Sequence, residues 1–485
     1  MDLRNNKVAI HFTKSKGYSS NMPFHPPQSY PEISGEAVDR QNEIYDGVRD
    51  LLRRLDLDKD NFNTNKWNPF KGVIEPGMTV FIKPNTVSQM HENGKDIFSV
   101  IVHASILRPI LDYVCIALKD QGKIIIGDSP LITSDFQKAF EISGIQELLD
   151  WYRKQTSIPI EFFDLRNYRA VRTWLYGRWG RKNVENDPLG YEFVDCGEES
   201  SFRGMDPKRL RIAVANYKNM IKHHSNGRHE YLFPKSFLES DVVISIPKLK
   251  THRRTAVTLA LKNFMGIPSW KDSLPHFVVG SPAEGGDQYI NPSLRKEICT
   301  RLHDQIQSNP WIPAKFACAV IKKLIWNSHK LYPFQDDIFE GMWYGNDTLW
   351  RTLLDLNKAV FYADKSGVLR NTVQRRFFCL IDGIIGGAKD GPLSPDPVDA
   401  GVLIAGFNPV AVDTVGATIM GFDIKKIPLI WKIIADRTGK CPIFFGNEEA
   451  ISIREGSKAY SLKELTRKNL GFEPHPGWKG HVELE

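Results

Sequence analysis

The sequence predicts an α/β fold, with a mainly parallel sheet flanked by helices and interrupted by helical and loop insertions. Three observations carry that prediction. Several short apolar runs are continuous rather than alternating, segments of helical periodicity lie between them, and the runs end in polar junctions punctuated by Gly and Pro.

The apolar runs are KVAIHF (7–12), MTVFI (78–82), KIIIG (123–127), PIEFF (159–163), DVVISI (241–246), RFFCLI (376–381) and GVLIAG (401–406). A strand covered by helices on both faces has no polar side, so unbroken runs of this length fit a parallel sheet. Apolar residues recur at helical spacing over 105–119, 135–153, 254–265, 347–362 and 410–420. Residues 1–163, 241–290 and 346–465 are therefore assigned to one α/β core. Residues 164–240, rich in Arg, Tyr, Asn and Gly, read as an insertion. Residues 291–345, with Trp311, Trp326 and Trp343, read as an aromatic-rich helical insertion, and 466–485 as a polar C-terminal extension over the surface.

Composition narrows the partners. The net charge of +7 comes from 64 basic against 57 acidic residues scattered along the chain, without the dense basic stripe of a nucleic-acid binder. Such a balance suits a small anionic molecule. The start of the chain, MDLRNNKVAIHFTKSKG, has no apolar signal core, and no apolar run approaches the roughly 20 residues that span a bilayer. A cytoplasmic protein with reduced thiols is expected. The six cysteines, Cys115, Cys196, Cys299, Cys318, Cys379 and Cys441, include no two within ten residues, so no iron–sulfur cluster or zinc is expected on clustered cysteines.

The junctions after the strands point to a site. MTVFI runs into Lys83-Pro84-Asn85, KIIIG into Asp128-Ser129-Pro130, DVVISI into Pro247-Lys248-Leu249-Lys250-Thr251-His252, and RFFCLI into Asp382-Gly383. Open α/β sheets bind ligands beyond the carboxyl ends of their strands, so these four junctions are expected to share a cleft. Lys248, Lys250 and His252 lie two residues apart and share a face if the strand persists past Pro247. Two readings stand open: a solvated basic turn, or a row that clamps a phosphate or carboxylate beside a titratable imidazole. Thr255 is expected to cap the next helix, with Lys262 near its end and Gly266 closing it. In GNDTLWRTLLDLNKAV (345–360), Asp347, Arg351 and Asp355 fall four residues apart, as a surface charge ladder or a partly buried support for Arg351. LIDGIIGGAKDGPLSPDP (380–397) reads either as a long surface loop or as backbone lining an anion pocket, with Asp382 and Asp390 as potential cation ligands or bases. Neither a dinucleotide nor a P-loop glycine pattern occurs, and HExxH and GxSxG are absent.

Together KPN (83–85), GDSP (127–130), PKLKTH (247–252), LALKNFMG (259–266), GNDTLWRTLLDLN (345–357), LIDGIIGG (380–387) and NPVAVDTVGATIMG (408–421) resemble the DUF362 family, over roughly residues 7 to 430. The resemblance implies an α/β core and leaves the activity open. Some relatives carry a ferredoxin-like segment of clustered cysteines, which this chain lacks, and Ala388-Lys389-Asp390 stands where relatives often have a Glu-Gly pair.

The leading expectation is an enzyme acting on a small phosphorylated or carboxylated metabolite. His252, Lys250 and Asp382 are assigned to catalysis; Lys83, Asn85, Lys248, Lys262, Asn263 and Arg351 to substrate; and Asp128 and Asp382 to a divalent metal ion. The alternatives are a redox protein using an external ferredoxin or a flavin, and a non-catalytic ligand-binding or assembly protein.

Overall fold

The computed structural model describes all residues except 1–2, 34, 36, 173–178, 185, 214–215, 328–337 and 437–438. Its centre is an 11-stranded sheet. The strands are β1 (Lys7–Phe12), β2 (Thr79–Pro84), β3 (Lys123–Asp128), β4 (Ile160–Asp164), β5 (Val242–Ile246), β6 (Lys248–His252), β7 (Ala256–Val257), β8 (Arg376–Ala388), β9 (Asp396–Gly406), β10 (Ser452–Glu455) and β11 (Lys458–Tyr460). They run in the order β11-β10-β1-β9-β8-β5-β2-β3-β4, with β6 pairing β8 and β7 off that path. The β8-β5-β2-β3-β4 block is parallel throughout, so its carboxyl ends lie side by side. The pairs β1–β9 and β8–β9 are antiparallel, which makes the sheet mixed but mostly parallel.

The period-two geometry of a strand explains why the apolar runs are unbroken. Val242, Ile244 and Ile246 join one apolar layer, whereas Val243 faces the other. The first layer packs under α1 (Glu43–Arg54), α2 (Ala104–Leu118), α3 (Phe136–Ile142) and α4 (Ile145–Tyr152). Further along the chain come α5 (Leu259–Asn263), a helical hairpin of α6 (Leu294–Ser308) and α7 (Ile312–Asn327), then α8 (Leu349–Tyr362), α9 (Pro409–Met420) and α10 (Pro428–Ala435). Of these, α5, α8, α9 and α10 cover the second face. Each fully buried Val, Leu or Ile contributes about 1.5–3 kcal/mol, so two covered faces supply most of the driving force.

Several local expectations need correction. The helix expected over 135–153 is two helices, because Gly144 turns left-handed (φ +77°) between α3 and α4. The helix expected over 254–265 shrinks to α5, since Ala256 and Val257 pair with β6 instead. Thr255 caps nothing; its hydroxyl donates to the Val257 carbonyl. The glycines of LIDGIIGG belong to β8, not to a loop. They clear space for neighbours: a Cβ on Gly386 would sit 2.5 Å from the Phe472 ring, and one on Gly387 would sit 2.7 Å from the Ser99 carbonyl. The tail after 465 does not simply run over the surface. Phe472, Trp478 and Val482 are buried, and the Trp478 indole donates to the Arg253 carbonyl at 2.9 Å.

After Asp164, which ends β4, the segment 164–240 forms small two-stranded sheets outside the central one: Tyr168–Arg172 with Trp179–Asn183, Tyr191–Asp195 with Glu230–Pro234, and Leu210–Arg211 with Phe277–Val278. All six cysteines are free. Among the described residues, no helix is long and apolar enough to cross a membrane.

Candidate functional site

The ends of β2, β3 and β5 meet at the carboxyl edge of the sheet, and β6 continues past Pro247 beside β8. Here lies a cavity of about 340 Å³. Its wall includes Lys83, Asn85, Asp128, Lys250, His252, Lys262 and Asn263, seven of the residues singled out from sequence. It also includes Arg253, Arg254, Lys271 and His276. Six lysine and arginine side chains thus face one space with two carboxylates, Asp128 and Glu92.

The order of this wall follows from its hydrogen bonds. Lys83 and Asp128, at the ends of adjacent strands, pair at 2.8 Å and are both buried. The other Asp128 oxygen accepts from the Thr86 amide and hydroxyl, each at 2.8 Å. This pair lies against Gly266, where a Cβ would come within 2.3 Å of the carboxylate and 2.7 Å of the ammonium. Only glycine fits there, which accounts for the last residue of LALKNFMG. Asn263 donates to the Lys83 carbonyl at 3.0 Å and to Ser245 Oγ at 2.9 Å, tying α5 to two strand ends. Lys250 donates to the Val100 carbonyl at 2.6 Å and the Pro392 carbonyl at 3.2 Å. Lys271 donates to the carbonyls of Ser129, Met265 and Pro268, which staples two of the cavity's loops together.

Two cations are left over. Among the described residues the Lys262 ammonium has no hydrogen-bond or ion-pair partner, and neither has the Arg253 guanidinium, whose Nε is buried. Thr258 Oγ1, also in the wall, is buried without a partner. Buried polar groups are ordinarily satisfied, so Arg253 Nε and Thr258 Oγ1, two buried atoms without a partner beside the unpartnered Lys262 ammonium, mark where a polar ligand fits.

The charges shift one another's titration. Burial, then Arg254 and Arg253, push Lys262 down to about 7. Burial pushes Lys271 to about 7 despite Asp128 nearby. Lys250 falls well below the usual lysine range through burial and the neighbouring Lys262 and Lys248. Burial lowers Lys83 as well, with Asp128 opposing it, and brings Arg254 down to about 9.

Both histidines of the wall are held neutral by burial and by the cations around them. Their tautomers are set by opposite partners. His252 Nδ1 accepts from the Arg254 amide at 3.1 Å, so its proton sits on Nε2. His276 Nδ1 lies 2.8 Å from the Leu274 carbonyl and must donate to it, which leaves a lone pair on Nε2. One imidazole therefore brings a donor to the cavity and the other an acceptor.

Three of the sequence-selected residues lie elsewhere. Lys248 and Asp382 pair at 2.9 Å with neither side chain reaching solvent, and the Tyr18 hydroxyl lies 2.6 Å from the lysine and 2.7 Å from the carboxylate. The register shift between Lys248 and Lys250 against β8 ends the common face expected of the row 248-250-252. Only Lys250 and His252 turn to the cavity. Arg351 sits at the surface of α8, bound to Asp347 at 2.7 Å and to the Ser201 carbonyl. The Asp347–Arg351–Asp355 ladder does not form, because Asp355 is buried against Ser200, Ser201 and Tyr231. Asp128 and Asp382 line different clusters, and among the described residues no group of three or more His, Cys, Asp or Glu could hold a metal ion.

Arg253, Arg254, Lys271 and His276 were not assigned to the site from the sequence. The first two read as ordinary charges of a basic turn, and SWKDSLPHF (269–277) has no periodicity or motif to set Lys271 and His276 apart. The density of basic groups within thirty residues of Lys248 was the one available signal.

No curated protein and no solved structure matches this chain. The family model described as a domain of unknown function, DUF362, matches residues 195–418, a narrower span than the motifs suggested, and Lys83, Asn85 and Asp128 lie outside it. The β6 wall of the cavity, α5 and the Lys271–His276 loop all fall within the matched span, and the resemblance read from the sequence holds there.

Proposed function

We propose that the protein is an enzyme that binds a small phosphorylated or carboxylated metabolite in this cavity and moves a proton on it. The observation that supports the reading most is the excess of cations lining one cavity, with Lys262 and Arg253 unpartnered. In a site shielded from water, an unmatched ammonium and guanidinium bind an oxyanion strongly, the guanidinium in bidentate fashion. Asn85, Asn263 and the Lys83–Asp128 pair hold the frame, so the lysines and not a metal ion neutralise the ligand in this reading.

The two imidazoles supply the chemistry. His276 Nε2 takes a proton from the substrate, and His252 Nε2–H donates to the oxygen on which negative charge develops. A neutral imidazole is suited to that second role because it stabilises charge without first having to be discharged. Lys262, brought to about 7, is a further proton carrier at neutral pH.

A panel of sugar phosphates and small carboxylic acids, incubated with the protein in deuterated water and followed by NMR, tests this. Enzyme-dependent exchange of a carbon-bound proton, lost in His276→Gln but with ligand binding retained, is the expected result. Ligand binding with no exchange or turnover across the panel would leave a binding protein and overturn the catalytic reading.

A further inference from the structure

The helical hairpin formed by α6 and α7 is built inside out. In α7, Ile312, Phe316, Val320 and Leu324 recur every fourth residue and form one stripe along the helix. That stripe is the exposed one: Ile312 is 56% accessible and Leu324 67%, and none of the sixteen residues of the helix is fully buried. Ile321 borders the stripe, and Trp311, 66% accessible, stands at its start. Leu294 and Ile298 of α6, one turn apart, add to the exposed apolar surface of the hairpin. The polar residues point the other way. Lys322 reaches back to His303 of α6 at 3.0 Å, and Lys315 and Lys322 are both less exposed than the apolar residues of the stripe. A helix that merely packed on its own core would show the reverse arrangement.

Charge decides what this face fits. From Leu294 to Asn327 the hairpin carries six lysines and arginines against two acidic residues, and α7 itself carries three lysines and no acidic residue. Lys323 lies exposed at the edge of the apolar stripe. An apolar stripe with a tryptophan at its end, on a helix with basic and no acidic side chains, is the pattern of a helix lying in the plane of a membrane surface. A second copy of the same hairpin would set basic residues against basic residues, whereas anionic headgroups complement them.

We propose that the α6–α7 hairpin docks the protein on an anionic membrane surface, with Trp311, Ile312, Phe316, Val320 and Leu324 entering the headgroup boundary and the exposed Lys323 beside them contacting lipid phosphate and carboxylate groups. This is peripheral attachment. It is independent of the cavity and of the activity proposed for it.

The test is co-sedimentation of the full chain with phosphatidylcholine vesicles, with and without phosphatidylserine, beside the triple variant Ile312→Glu/Val320→Glu/Leu324→Glu. The substituted side chains are solvent-facing, and an unchanged circular dichroism spectrum and melting temperature will confirm that the variant folds. The expected result is binding to the phosphatidylserine vesicles, weaker binding to phosphatidylcholine alone, and a loss of at least about tenfold in the variant. Failure of the wild type to bind the anionic vesicles, or equal binding by the variant, overturns the proposal. A concentration-dependent dimer seen by sedimentation, abolished by the same variant and unaccompanied by vesicle binding, overturns it in favour of a second copy as the occupant.

Discussion

Two buried lysine–aspartate pairs belong to the same sheet, and they differ in what surrounds them. Lys248 and Asp382 are sealed beneath Tyr18, with every charge matched and no path to solvent. Lys83 and Asp128 form an equally close pair but open onto a cavity that five further lysines and arginines share. In the sealed cluster the hydrogen bonds are spent on holding the N-terminal segment around Tyr18 to the sheet. In the cavity, charge is left over at Lys262 and Arg253. A buried ion pair by itself is a poor marker of function, since its desolvation offsets its attraction. The marker is charge left without a partner in a cavity wall.

Four experiments sharpen or break that contrast. The largest effect is expected in the sealed cluster, where Asp382→Asn leaves the Lys248 ammonium uncompensated and costs about 3–5 kcal/mol of stability by denaturant unfolding. Loss of less than about 1 kcal/mol would mean that the pair is not the structural clamp its burial implies.

The second is Lys262→Met, which removes an unpartnered charge. Its affinity for the anion falls by about 1.5–3 kcal/mol, tenfold or more, while its melting temperature holds or rises. A large drop in melting temperature without loss of affinity would make Lys262 structural.

The third is the pH response. Lys262 and Lys271, ordinarily near 10.5, fall to about 7 in the folded state. Below pH 7 both are charged in the folded and unfolded states, and the cost of holding that charge in the cavity is fully present. Between pH 7 and 10.5 the unfolded chain keeps protons that the folded state releases, so the ligand-free protein gains stability as pH rises. Affinity for sulfate, whose own charge is constant over this range, moves oppositely and weakens from pH 6 to pH 9. Stability that falls steadily across that interval would contradict these assignments.

The smallest effect belongs to Arg351→Ala. As a surface partner of Asp347, Arg351 is expected to contribute less than about 1 kcal/mol and nothing to ligand affinity. A clear loss of anion binding in this variant would return it to the site.

The sheet was legible because its strands are covered on both faces, so every residue of DVVISI or KIIIG is apolar and the run has no second interpretation. Parallel order then placed Lys83, Asn85 and Asp128 together, since neighbouring strands that run the same way end together. Lys248 was misplaced because alternation holds only while the register does, and the irregularity against β8 falls between Lys248 and Lys250. Asp382 was misplaced for a related reason: its strand does not end at Ile381 but continues to Ala388, so the carboxylate lies mid-strand under Tyr18. His276 was illegible because its tautomer depends on a carbonyl two residues earlier and its neutrality on Arg254, Lys262 and Arg253 brought in by the fold, and no local pattern encodes either.

The central claim is that the unmatched cations of the cavity form an anion site. It is tested most directly by soaking crystals with selenate and locating the anion from its anomalous signal. The strongest peak is expected inside the cavity, within hydrogen-bond distance of Lys262 and Arg253, and is lost in Lys262→Met. Peaks confined to the outer surface, with the cavity holding only water in the wild type, would contradict it.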